Sequence, residues 1–143
     1  MQNKIDVFTN FVDASLVQIV YTKVDKSSKG FDETYLEDKY EVVSCSAEKL
    51  IINYERGVNV PCNKDIYNLK VIAKVVRDAK DNIDLSKVVN EEFIVNNIDD
   101  ILCIAFNFVS SLISNITGAF GSIPIVTPPA LLKQAKKKTE RKK

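Results

Sequence analysis

The sequence predicts an α+β domain: a four-stranded antiparallel sheet with one long helix packed on a face, and an extended, proline-bearing arm after the helix. Three observations carry this expectation. Alternating apolar and polar positions recur in the first two thirds of the chain, as half-buried strands require. Residues 101–132 contain no charged side chain at all, although charged residues make up 27% of the chain. Within that stretch, apolar residues recur at helical spacing up to Ile116, and Pro128-Pro129 then rules out further helix.

Taken in order, residues 1–13 hold Ile5, Val7, Phe8, Phe11 and Val12 without a clear period. A first strand is expected over Leu16–Val24, with Val17, Ile19 and Tyr21 alternating against Leu16, Gln18, Val20 and Thr22. Asp25 to Lys39, polar and containing Ser27-Ser28 and Gly30, reads as a long loop that carries Phe31, Tyr35 and Leu36. Tyr40–Cys62 is strand-like with a bend near Ser44–Ala47, and Gly57 and Pro61 suggest a bulge and an end. Ile66–Asp78 is the clearest strand: Tyr67, Leu69, Val71, Ala73 and Val75 face one way. Asp81-Asn82 supplies a turn. Leu85–Val95, with Leu85, Val89, Phe93 and Val95 grouped, is read as the fourth strand. A meander of these strands under one helix gives a two-layer sandwich.

The helix is expected to start at Asn97, which can cap, with Asp99 and Asp100 at the positive end of the macrodipole. Gly118 is expected to close it. Ile98, Ile101, Leu102, Ala105, Val109, Leu112, Ile113 and Ile116 form its apolar stripe. A second stripe, Cys103, Asn107, Ser110, Ser111, Ser114, Thr117 and Gly118, is small and weakly polar, where a water-facing helix side normally carries Lys and Glu. One face should therefore pack on the sheet and the other on a helix of another subunit. The rival expectation is a membrane anchor over residues 98–120, since the uncharged run is long enough to span a bilayer. Against it stand Asn107, Asn115, three serines and the early proline break.

Composition bounds the function. A chain of 143 residues is one domain, with 45% hydrophobic residues for its core. The expected division is a folded unit over 1–132 and a basic, disordered tail over 133–143. The tail holds seven basic residues and one acid; subtracting these from the chain's 20 and 19 leaves 13 and 18, a net of −5 on the body. No nucleic-acid partner is expected, because the tail reads as a solubilising end. No basic segment leads into an apolar run at the N-terminus, so no signal peptide is expected. Cys45, Cys62 and Cys103 are odd in number and widely spaced, which suggests reduced thiols in the cytoplasm.

The chain contains no histidine. That removes Ser-His and Cys-His nucleophiles and imidazole metal sites, so neither an enzyme nor a metal or other cofactor is expected. The carboxylate pairs Glu91/Glu92 and Asp99/Asp100 read as structural: strand neighbours point to opposite faces, and the Asp pair already serves a helix start.

Three places carry a resemblance to a known family. Tyr21-Thr22-Lys23 ends the first strand, Phe106 to Thr117 makes up a long helix, and Gly121-Ser122-Ile123-Pro124 leads into Val126, Pro128-Pro129 and Leu131. In this order they resemble SecB, the protein-export chaperone, and its toxin–antitoxin-associated relatives. The arm is similar to the Gly-Thr-Phe-Pro…Leu…Pro segment that follows the long helix there. An aliphatic Ile123 stands where SecB has an aromatic, the Tyr-Arg segment of the helix is missing, and a basic tail replaces a second C-terminal helix. These departures speak against docking on the SecA motor and point to a specialised relative.

The resemblance implies an ATP-independent holdase that binds unfolded or nascent clients, an antitoxin or a preprotein, in apolar grooves. It also implies a homotetramer built as a dimer of dimers. Client-binding candidates are Phe31 and Tyr35 in the 25–39 loop, Phe106 on the helix, and Phe120, Ile123, Val126 and Leu131 on the arm. The alternative is a SecB-like binding module without holdase action.

Overall fold

The computed structural model describes residues 7–25, 36–62, 65–119 and 124–128. Four strands, β1 (Phe8–Lys23), β2 (Leu36–Cys45), β3 (Lys49–Cys62) and β4 (Asp65–Ala79), precede a one-turn helix α1 (Leu85–Val88) and the long helix α2 (Glu91–Ala119). All strand pairs are antiparallel, in the order β1-β4-β3-β2. The expected α+β class, a four-stranded antiparallel sheet with a long helix on it, is the architecture observed. The connectivity is not a simple meander: β2, β3 and β4 follow one another, and β1 closes on β4 as in a Greek key.

The strand boundaries differ from the sequence reading for identifiable reasons. β1 starts eight residues earlier than the alternation suggests, at Phe8 rather than Leu16. Its register against β4 slips between Phe8 and Val12 and again between Leu16 and Gln18, so the period of two is broken where the strand is most irregular. The Tyr40–Cys62 segment is not one bent strand but the hairpin of β2 and β3. Its tip is closed by Ser46, whose Oγ accepts from the amides of Glu48 (3.3 Å) and Lys49 (3.1 Å). Gly57 makes no bulge: β3 runs in unbroken register with β4 from Lys49 to Cys62. Pro61 lies within β3, opposite Ile66 of β4, and beyond Val58, the last β3 residue paired with β2 among the described residues.

Leu85–Val95 is the clear error, being helical rather than a strand. Asp84 caps α1 through Ser86 N (3.0 Å), and Asn90 caps α2 through Phe93 N (2.8 Å). Leu85, Val89 and Phe93 are four apart, which groups them on a helical face as readily as on a strand. Asn97 does not begin the helix; it kinks it, with φ −122° and ψ 18°. Its side chain donates to Phe93 O (2.9 Å), satisfying a carbonyl at the break. The Asp81-Asn82 turn forms as expected, with Asn82 left-handed at φ 67°.

The core lies between α2 and one face of the sheet. Leu50, Ile52, Tyr54, Val58 and Val60 of β3, and Leu69, Val71, Ala73 and Val75 of β4, meet Ile98, Ile101, Leu102, Ala105, Phe106, Val109 and Ile113 of α2. The opposite sheet face carries Lys39, Glu55, Lys70 and Lys49, with ion pairs such as Lys49–Asp78 (2.8 Å), and meets water. α2 is apolar and long enough to cross a membrane, with a mean hydropathy of 1.6. The sheet takes up one face of it, while Ile104 stays exposed and Phe108 and Leu112 half-buried. α2 lies mainly across β4, so the edge strand β1 keeps Phe11, Leu16, Val17 and Ile19 exposed.

Candidate functional site: the helix, the arm and a buried ion pair

The site is built on the inward-facing series of β3. Even positions from Leu50 to Val60 point at α2, and Arg56 falls in that series between Tyr54 and Val58. Its direct cross-strand partner on β2 is Asp38. Both side chains are fully buried, so each charge needs the other. The pair is bidentate: Arg56 Nε donates to Asp38 Oδ1 and Nη2 to Oδ2, both at 2.7 Å. Tyr54 Oη donates to the same carboxylate at 2.9 Å. Burial and the Asp38 charge raise the Tyr54 phenol well above its ordinary range, so it is held as a donor. Burial is the largest influence on the Arg56 guanidinium and would lower it, but the hydrogen bonds and charge of Asp38 together with Tyr54 outweigh that and raise it.

The remaining nitrogen of Arg56 reaches forward to the arm. Nη1 donates to Thr127 Oγ1 (2.9 Å) and to the carbonyl of Pro128, and lies 3.3 Å from Ser110 Oγ. Ser110 Oγ lies 3.0 Å from Thr127 O and 3.1 Å from Pro128 O. Two turns along α2, Thr117 Oγ1 donates to Ile113 O (2.8 Å) and accepts from Ile125 N (2.8 Å). The arm thus runs back along α2, with Ile125 and Thr127 turned inward and Pro124, Val126 and Pro128 outward. Gly118 is not the helix terminator, since α2 continues through Ala119; a Cβ there would lie 3.1 Å from Pro124 Cγ, so glycine lets the arm seat.

The residues proposed from sequence are distributed as follows. Phe31, Tyr35, Phe120, Ile123 and Leu131 lie outside the described residues, as does the 133–143 tail. Val126 is 82% exposed at the surface of the arm. Phe106 is 2% exposed and meets Tyr54 edge-on at 5.3 Å, so it is a core residue and not the wall of an open groove. Its neighbour Ala105 is also buried: the α2 face that meets the sheet is wide enough to include position 106. In the small-residue stripe, Cys103, Asn107 and Ser111 are exposed and Ser114 is half-exposed. Ser110 is turned under the arm and engaged there, which removes it from the open stripe.

Sequence reading missed Asp38, Tyr54, Arg56 and Thr127, and it placed Thr117 in the helix's small-residue stripe rather than under the arm. The signal was present for the ion pair, since an arginine occupies an inward position of an otherwise apolar alternation. Reading it required knowing that β2 is a separate strand that sets Asp38 opposite. Thr117 and Thr127 join the site only through the backward course of the arm, which spacing does not reveal.

The four-stranded antiparallel sheet with its long helix matches the SecB-like fold. Among solved structures the chain is similar to the Mycobacterium tuberculosis SecB-like chaperone Rv1957, solved in complex with a ChAD peptide from the Rv1956 HigA1 antitoxin. The TM-score is 0.61 at 12% identity, over 81% of this chain and 86% of that one. It is also similar to a protein of unknown function from Streptococcus agalactiae, with a TM-score of 0.47 at 12% identity, over 82% of this chain and 97% of that one. No family model and no curated protein matches the sequence.

Proposed function

We propose that this protein is an ATP-independent holdase of the SecB-like kind, a specialised relative that binds unfolded segments of client proteins. The observation that carries the reading is the likeness of fold to a SecB-like chaperone that holds an antitoxin peptide. An antitoxin is accordingly the first client class to test. The surface chemistry supports it: β1, an edge strand among the described residues, leaves Phe11, Leu16, Val17 and Ile19 exposed. The decisive experiment is aggregation of a chemically denatured model protein diluted with and without the chaperone, in the absence of ATP. Suppression at stoichiometric ratio is expected; peptide binding without suppression would make the protein a binding module only.

The same reading includes assembly as a homotetramer, a dimer of dimers in the cytoplasm. The exposed small residues Cys103, Asn107 and Ser111 of α2 support close helix–helix approach, and Cys45 and Cys103 are free thiols, as a reducing compartment keeps them. Light scattering should give four times the 16.1 kDa chain mass, and a 16.1 kDa species at micromolar concentration would refute assembly. Ser111→Lys should reduce that mass while leaving the subunit folded, because like charges would face each other across a two-fold axis.

A further inference from the structure

The arm is bound to its own subunit in the way an extended peptide is bound by a receptor. Ser110 and Thr117 lie seven residues apart on one helical face. That is two turns, or about 10.5 Å along the axis. From Ile125 to Pro128 an extended chain covers about 10 Å. The two lengths match, and the polar contacts fall at the two ends: Thr117 accepts the Ile125 N–H, Ser110 donates to the Thr127 and Pro128 carbonyls, and Arg56 donates to that of Pro128. Most of these contacts are to backbone atoms, which every polypeptide offers. Only Thr127 Oγ1 is read as a side chain. Between them Ile125 enters as a half-buried apolar side chain packed on the core.

The geometry points to the arm as an internal stand-in for client: Arg56, Ser110 and Thr117 form a backbone-reading groove for an extended apolar segment, and client chain displaces the arm from it. This rests on the holdase reading above. Arg56 is suited to the exchange because its bidentate hold on Asp38 does not involve the arm. When the arm leaves, the guanidinium keeps its position and its countercharge, and Nη1 is freed towards an incoming carbonyl. Backbone reading is sequence-tolerant, which is what a binder of diverse unfolded segments requires. A closed arm also covers the groove when no client is present, limiting self-association. The arm should then lower apparent client affinity by the fraction of time the groove stands open.

The test uses the full chain, with a fluorescently labelled, reduced and carboxymethylated α-lactalbumin as a permanently unfolded probe. Exchange of the Ile125 amide, whose N–H Thr117 accepts, should be slow in the free protein and about tenfold or more faster when probe is saturating, as a local opening allows. Thr127→Val, which loosens the arm without touching the groove, should tighten probe binding about threefold or more. Ile125→Ala serves the same purpose if Thr127→Val fails to fold. Ser110→Ala loosens the arm and removes a reader, so it should gain no affinity. An arm that stays protected in the probe-saturated complex overturns the inference while leaving the holdase reading standing. If the wild-type protein does not bind the probe at all, the holdase reading itself fails, and this inference fails with it.

Discussion

Two arginines enter the core from adjacent strands, and their surroundings differ. Arg56 on β3 meets a carboxylate in bidentate geometry, a phenol beside that carboxylate, and the arm. Arg77 on β4 is also buried, but among the described residues its guanidinium donates to backbone carbonyls and not to a carboxylate. Its Nη1 donates to the helix carbonyls of Asp100 (3.1 Å) and Ile101 (3.2 Å), its guanidinium lies 4.8 Å over the Phe8 ring, and its Nε finds no hydrogen-bond partner among the described residues. Burial lowers the Arg77 guanidinium from its ordinary value, whereas the contacts with Asp38 raise that of Arg56. The contrast teaches that burial of a charge says little by itself; what matters is whether removing a partner strands the other charge. Arg56 belongs to a network that fails as a unit. Arg77 is a cation held by dipoles and a ring, which an apolar side chain of similar length can replace.

The largest expected effect is that of Asp38→Ala. It leaves the Arg56 guanidinium buried without its countercharge, at a cost of about 3–5 kcal/mol. At about 2–4 °C per kcal/mol for a chain of this size, the melting temperature should fall by about 10 °C or more in a circular dichroism melt. The double variant Asp38→Leu with Arg56→Met should recover most of that loss, since it removes both charges together. A single and a double variant with equal losses would show that packing, not charge, dominates at this place.

Thr117→Val comes next. It keeps the shape of the side chain but removes the acceptor for Ile125 N–H, costing about 1 kcal/mol. The sharper readout is local: amide exchange and protease cleavage at 124–128 should speed up well before global unfolding does. An arm that stays equally protected would mean that Arg56 and Ser110 hold it unaided.

Arg77→Met should be the mildest, within about 1 kcal/mol of wild type. The lost contacts with the Asp100 and Ile101 carbonyls and the Phe8 ring are offset by relief of a desolvated cation. Denaturant melts measure it directly. A loss as large as that of Asp38→Ala would break the comparison and make Arg77 a second structural charge.

How much of this was legible beforehand depends on the range of the determining contact. β4 was readable almost to the residue, because both its neighbours are strands and its alternation is unbroken over Tyr67–Val75. The apolar stripe of α2 was readable from its period. Leu85–Val95 was misread because a four-residue recurrence over a short span suits helix and strand alike; the caps Asp84 and Asn90 were the better guide. Ser110 was grouped with Ser111 and Ser114 on composition, yet the returning arm separates it from them.

The sequence by itself determined the class: strands by alternation, one long helix by its period, an arm by its prolines, and the resemblance of their order to SecB. These are local properties, set by which side of each element is apolar and by backbone restrictions that act within a few residues. Only the tertiary structure decided that β1 lies beside β4, that Asp38 stands opposite Arg56, and that the arm turns back to meet Ser110 and Thr117. Those contacts range from Thr117 and Ile125, 8 positions apart, to Phe8 and Ala79, 71 apart. They form because a buried charge and a returning backbone must find their hydrogen-bond partners wherever the packed elements bring them, and no local period encodes that.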